Sequence, residues 1–159
     1  MTIAPELKPN SEITQSHQTT FTPSKIFSNS EAHIAENLAL SVLLVEDVLI
    51  AQMAAVNILG DFHCKVDKAE TGNIALEKAK KNRYDFILMD IGLPDESGIT
   101  VAEKIHQFEK EQNLSRTPIF ALTAHIDDSD KKEPNYDFEA SFNKPLTSEK
   151  LESIIRQSR

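Results

Sequence analysis

Ser41-Val-Leu-Leu-Val-Glu-Asp47 and Phe86-Ile-Leu-Met-Asp90 decide how this chain of 159 residues folds. Each is an apolar run that closes on acid. Short unbroken apolar runs bounded by turn signals read as strands buried on both faces, the kind found in parallel sheets covered by helices. Ligands of such open sheets sit just beyond the carboxyl ends of the strands. Glu46, Asp47 and Asp90 therefore converge on one edge. Three carboxylates gathered there repel one another unless a hard cation joins them. Mg2+ takes oxygen ligands and keeps several waters, so it suits the set. The two runs predict a metal-dependent acidic pocket, with the Asp90 carboxylate at the end of an inner strand and facing solvent.

Outward from these runs, strands and helices alternate. After Ser41–Val45 the spacing predicts a helix over 48–59, with Leu49, Met53, Val56 and Leu59 on one face and Gly60 at the stop. A short strand over His63–Asp67 follows. A helix over Thr71–Lys81 turns Ile74, Leu76 and Ala79 inward, and Tyr84–Met89 is the third strand. A helix over 99–112 carries Val101, Ile105 and Phe108 as its stripe. Pro118–Leu122 is the fourth strand and 139–143 the fifth. Thr147 caps a last helix with Leu151, Ile154 and Ile155 inward. Five strands alternating with helices predict an α/β fold, a doubly wound five-stranded parallel sheet with right-handed crossovers. The polar stretch from His125 to Glu139, broken by Pro134, leaves room only for a short, mobile helix.

Residues 1–40 differ in kind. They are rich in Ser, Thr, Asn, Gln and Pro and read as a linker or tail, within which Ser30 can cap a short helix over 31–40. Residues 41–159 form the domain. With 40% hydrophobic residues it can build a core, yet no stretch is long and apolar enough to cross a bilayer or lead a secretory signal. The single cysteine, Cys64, reads as a small strand residue in a chain of the reducing cytoplasm. The net charge of −8 and the lack of a basic stripe argue against direct DNA binding. His17, His33, His63 and His106 show no ligand spacing and read as surface residues; His125 reads as a loop residue near the pocket mouth.

Two more side chains join the acids. Thr123 closes Ile119-Phe-Ala-Leu-Thr123, and Lys144 closes Phe142-Asn-Lys144. Three carboxylates, a hydroxyl and an ammonium on one sheet edge suit phosphoryl transfer onto a carboxylate. Asp90 is the nucleophile, Mg2+ and Lys144 offset charge on the equatorial oxygens, and Thr123 donates to one of them. Ala124 and Gly92 are small and leave the acceptor open.

Residues 41 to about 157 resemble the receiver domain of two-component response regulators. The match is carried by Val42-Leu-Leu-Val-Glu-Asp47, Met89-Asp-Ile-Gly-Leu-Pro94 with Gly98, Ala121-Leu-Thr-Ala124 and Asn143-Lys-Pro145, four motifs in order. The resemblance implies the CheY-like, flavodoxin-like strand order 2-1-3-4-5. It also implies phosphorylation of Asp90 by a phosphohistidine and Mg2+ held by Glu46, Asp47, Asp90 and the backbone carbonyl of Gly92, with Thr123 and Lys144 answering the phosphoryl group. The wording is most similar to receivers of hybrid sensor histidine kinases. It implies a phosphorelay role with a histidine kinase and a histidine-phosphotransfer protein as partners, without free-standing enzyme activity, DNA-binding output domain or membrane contact. The family's aromatic switch stands three places before the lysine, where this chain has Ser141; counted from Thr123, Phe142 takes that place. Val48 stands where an asparagine is common, and the glycine expected before the fifth strand is replaced, with Asn135 or Asp137 as left-handed substitutes. Two other functions compete. A phosphate-independent interaction module of the same fold is opposed by the intact acids and Lys144. A phosphohydrolase commonly needs a second acid two residues past the nucleophile, where Gly92 stands.

Overall fold

The computed structural model describes residues 39–124 and 137–159. In chain order these contain β1 (Ser41–Val45), α1 (Leu49–Asp61), β2 (Lys65–Ala69), α2 (Gly72–Lys81), β3 (Phe86–Asp90), α3 (Gly98–Glu111), β4 (Ile119–Thr123), β5 (Ala140–Asn143) and α4 (Ser148–Ser158). The strands form one sheet in the order β2-β1-β3-β4-β5, and every pairing is parallel. This is the doubly wound α/β sheet that the alternation predicts. Residues 31–38 of the helix proposed over 31–40 and the segment 125–136, with His17, His33, His125 and Asn135, lie outside the described residues, and Ala39 and Leu40 are not helical.

Side chains of a strand alternate between faces, and the inner strands divide their apolar residues accordingly. Leu43, Val45, Ile87, Met89 and Ile119 pack toward α2 and α3, against Ala75, Ala79, Val101 and Ile105. Val42, Leu44, Phe86, Leu88, Phe120 and Leu122 pack toward α1 and α4, against Ala55, Leu59, Leu151 and Ile154. Phe86 and Phe120 meet edge to face, with ring centroids 6.1 Å apart. Two full core layers on one sheet explain why its central strands read as unbroken apolar runs.

The structure corrects several expectations. In α1 the buried residues are Gln52, Ala55 and Leu59, while Leu49 and Met53 are exposed, as are Val48 and Ile50 before and beside them. The helix is rotated from the expected face because its first turn is tied to the sheet edge. The Val48 N–H donates to Glu46 Oε1 at 3.1 Å, and Gln52 Nε2 donates to the Glu46 carbonyl at 3.1 Å. A polar side chain with a partner can be buried, and the small Ala55 lets the helix sit close to the strands. Gly60 lies inside α1 rather than at its stop, and the left-handed residue is His63, with φ 56°. The bonds Cys64 N–H to Leu59 O (3.0 Å) and His63 N–H to Gly60 O (2.9 Å) form a Schellman turn. Asn113, φ 51°, closes α3 in the same way.

In α2, Ile74 points outward and Ala75 and Ala79 inward. In α3, Phe108 is half-buried beneath the Lys80 ammonium, 5.5 Å from its ring centroid. His106 is buried, not a surface residue: its Nε2–H donates to the Thr117 carbonyl at 3.0 Å. Beside it Glu109, also buried, accepts from the Thr117 N–H and hydroxyl and from Arg83 Nη1. This polar cluster anchors the amino end of β4, at the opposite edge from the acids. Cys64 precedes β2, half-buried.

Candidate functional site

Glu46 and Asp47 follow directly from β1, and Asp90 is the last residue of β3. The Glu46 N–H donates to the Ala69 carbonyl at 3.0 Å, so the ladder to β2 continues one residue past β1 and fixes the Glu46 side chain over the sheet edge. Glu46 and Asp90 are buried, and Asp47 is exposed. One carboxylate oxygen from each of the three lies within 4.8 Å of the others. The sequence expectation of a solvent-facing Asp90 carboxylate is corrected: the residue is only 5% exposed, and its two carboxylate oxygens are held by the Gly92 N–H and the Lys144 ammonium.

Lys144, one residue past β5, reaches across this edge. Its Nζ lies 2.7 Å from Glu46 Oε2 and 2.8 Å from Asp90 Oδ2. Burial pushes the ammonium toward deprotonation, but hydrogen bonds and charge from Asp90 and Glu46 outweigh it, and the Lys144 pKa is raised. Its backbone N–H donates to the Thr123 carbonyl at 2.8 Å, which continues the β4–β5 ladder and sets the lysine beside the threonine. Thr123 ends β4, half-buried.

The loop after β3 completes the edge. The Gly92 N–H donates to Asp90 Oδ1 at 3.0 Å, and Gly92 bridges Ser97 in antiparallel fashion. Gly98 then starts α3 directly against the strand end. A Cβ there would stand 2.1 Å from the Asp90 carbonyl oxygen, so only glycine fits. A cavity of about 270 Å³ opens beside the acids, lined by Glu46, by Ala51 and Ala54 of α1, and by Ala124, Lys144 and Pro145.

The structure thus brings Glu46, Asp47, Asp90, Gly92 and Lys144 together, with Thr123 at the neighbouring strand end. Three hard oxygen donors in this spacing fit Mg2+. Of the two aromatic alternatives, Phe142 pairs with Leu122 in register and packs against Phe120, centroids 6.3 Å apart, whereas Ser141 is exposed. The motif reading missed Gln52, which carries Glu46's carbonyl, and Asp95, whose carboxylate reaches α2. Gln52 reaches back across the turn between β1 and α1, and Asp95 joins distant turns, although an acid in a loop before a helix is a recognisable cap candidate.

This fold and edge define a signalling receiver. The chain belongs to the response regulator receiver domain family, whose model matches residues 42–156. It is 32% identical over 144 residues to Histidine protein kinase 1 of Candida albicans, covering 84% of this chain and 6% of that protein. It is 34% identical over 119 residues to the aerobic respiration control sensor protein ArcB of Escherichia coli, covering 75% of this chain and 15% of ArcB. The chain therefore spans a small part of these curated relatives. Among solved structures, it is similar to the receiver domain of a sensor histidine kinase from Pseudomonas aeruginosa, which holds a magnesium ion in its active-site cleft (TM-score 0.66, 29% identity, 75% of this chain and 96% of that one). It is also similar to a co-crystal of the Saccharomyces cerevisiae histidine phosphotransfer protein Ypd1 with the receiver domain of its response regulator Ssk1 (TM-score 0.67, 29% identity, 74% and 86%).

Proposed function

We propose that this chain is the phosphoacceptor of a phosphorelay, taking a phosphoryl group from a phosphohistidine onto Asp90. The observation that carries the reading is the Lys144 ammonium shared between Glu46 and Asp90, with Asp47 alongside. Glu46, Asp47, Asp90 and the Gly92 carbonyl are the ligands in this reading. Mg2+ bound there supplies positive charge to the non-bridging oxygens of the transferring group.

An Asp90 carboxylate oxygen forms the new bond to phosphorus as the bond from phosphorus to the donor's imidazole nitrogen breaks. The electron pair stays on that nitrogen. A carboxylate nucleophile needs no general base. The Gly92 N–H holds one Asp90 oxygen, which orients the carboxylate. Lys144 leaves its present bridge to follow the phosphoryl oxygens, and Thr123 donates its hydroxyl to one of them. Leu49, Ile50 and Met53, exposed in the first turns of α1 beside the acids, offer apolar contact to the protein that carries the histidine.

Residues 1–40 then act as linker or tail to the receiver at 41–159, the partners are a sensor histidine kinase and a histidine-phosphotransfer protein, and the setting is the cytoplasm. No helix among the described residues is long and apolar enough to cross a membrane. The competing reading, a phosphate-independent interaction module, is favoured by one observation: Ser141, three places before Lys144, is exposed and is not aromatic. Intact mass after incubation with Mg2+ and acetyl phosphate separates the two. A labile phosphoryl adduct on the wild type and none on Asp90→Asn supports the phosphoacceptor. No adduct on either protein, with Mg2+ bound, selects the interaction module.

A further inference from the structure

The loop that follows Asp90 is closed at both ends. The Gly98 N–H donates to the Ile91 carbonyl at 2.9 Å, and the Gly92–Ser97 bridge pins its sides. Its tip, Pro94–Glu96, is held from outside. Asp95 Oδ1 accepts from the Gly72 N–H at 2.8 Å, and Asp95 Oδ2 accepts from the Asn73 N–H at 2.9 Å. These are the first two amides of α2, which have no acceptor within their own helix. The side chain of the helix's own cap, Thr71, accepts only from the Ile74 N–H. One carboxylate thus spans two amides more than twenty residues away in sequence. Glu96 adds a second tie, 2.6 Å from Lys104 Nζ on α3.

The approach is close enough to constrain sequence. A Cβ on Gly72 would stand 2.5 Å from Val101 Cγ2, 3.0 Å from Glu96 Cγ and 3.4 Å from Asp95 Oδ1. The α2 amides also hold the Asp95 carboxyl below its ordinary pKa, so it is ionised and the bonds are charge-assisted. What the loop carries is Gly92, whose N–H fixes Asp90 Oδ1.

We propose that Asp95 is a positioning residue for the phosphoacceptor: by fastening the tip of the Ile91–Ser97 loop to the amino end of α2, it holds Gly92 where its N–H orients Asp90 and its carbonyl faces the cation. The assignment of the carbonyl rests on the phosphoacceptor reading; the placement of the N–H does not. Residues that orient ligands from behind change metal affinity by roughly 10- to 100-fold when removed.

The test compares Asp95→Ala, Asp95→Asn and Thr71→Ala with the wild type. Thr71→Ala removes a cap from the same helix without touching the loop, and so measures the effect of a weakened α2 alone. Two readouts are taken: the Mg2+ dissociation constant by titration calorimetry, and the Gly92 amide chemical shift in metal-free protein. Asp95→Ala should weaken Mg2+ about 10-fold and move the Gly92 resonance. Asp95→Asn, which keeps an acceptor oxygen, should recover most of both. Thr71→Ala should leave both near wild type. An unmoved Gly92 resonance in Asp95→Ala overturns the proposal, as does an equal change in Thr71→Ala. If Asp95→Ala does not fold, a wild-type Gly92 shift and affinity in Asp95→Gly at lower temperature overturns it in the same way. A wild type that binds no Mg2+ sinks the functional reading instead, and the metal-free shift still decides the role of Asp95.

Discussion

Replacing Lys144 by alanine should destabilise the metal-free domain by about 3 kcal/mol. The ammonium bridges two buried acids at 2.7 and 2.8 Å. Without it, carboxylate oxygens within 4.8 Å of one another face each other unscreened. Two unit charges at about 4.8 Å repel by roughly 3.5 kcal/mol at an effective dielectric constant of about 20. The variant is spared the cost of desolvating the ammonium, which offsets part of this loss and is modest because the Lys144 side chain is 22% exposed. The result, about 3 kcal/mol, sits at the lower end of what removing one partner of a buried ion pair costs. For a domain of this size it corresponds to a melting temperature lower by roughly 12 °C. Thermal melts by circular dichroism in EDTA and in excess Mg2+ measure it. The deficit should be full in EDTA and smaller in Mg2+. A variant that melts with the wild type in EDTA refutes the reasoning, because Glu46 and Asp90 would then tolerate each other without the lysine.

Gly98→Ala should cost about 2–3 kcal/mol in a urea titration, since its Cβ meets a strand carbonyl that cannot yield without moving the end of β3. The same change should slow labelling of Asp90 by acetyl phosphate. Glu109→Ala should lower stability by about 3 kcal/mol, because it strands the buried Thr117 N–H and leaves the Thr117 hydroxyl and Arg83 Nη1 without their carboxylate partner. Its Asp90 labelling, measured by mass in folded protein, should match the wild type. Burial and the 2.7 Å hydrogen bond to Asp67 push the Tyr84 phenol up from 10.0 to about 12. Its folded pKa is raised, so the stabilisation is complete below pH 10 and is lost as pH rises toward 12. Tyr84→Phe should flatten that alkaline limb of stability against pH, and an unchanged limb would assign it to another group.

Much of the site could be read from the chain because strand ends are local features. An apolar run that stops at an acid places that acid on the carboxyl edge, and parallel topology brings Glu46, Asp90, Thr123 and Lys144 to the same edge. Helix faces were less legible. Leu49 and Met53 have the right spacing for a core stripe, yet Gln52 and Ala55 are buried, since α1 is anchored through the Glu46 carbonyl and carboxylate. His106 looks like a surface histidine in sequence and is buried because the Thr117 carbonyl gives its ring a partner.

The sequence by itself determined the sheet, its acidic edge and the family, because hydrophobic period and strand-end chemistry depend on neighbours in the chain. Only the tertiary structure decided how the edge is wired. It placed Lys144 between Glu46 and Asp90, buried Asp90, set Ser141 outward and Phe142 against the core, and fastened Asp95 to α2. These contacts join residues up to about a hundred positions apart. Their existence depends on distances of a few ångströms between separate elements, which no local pattern encodes.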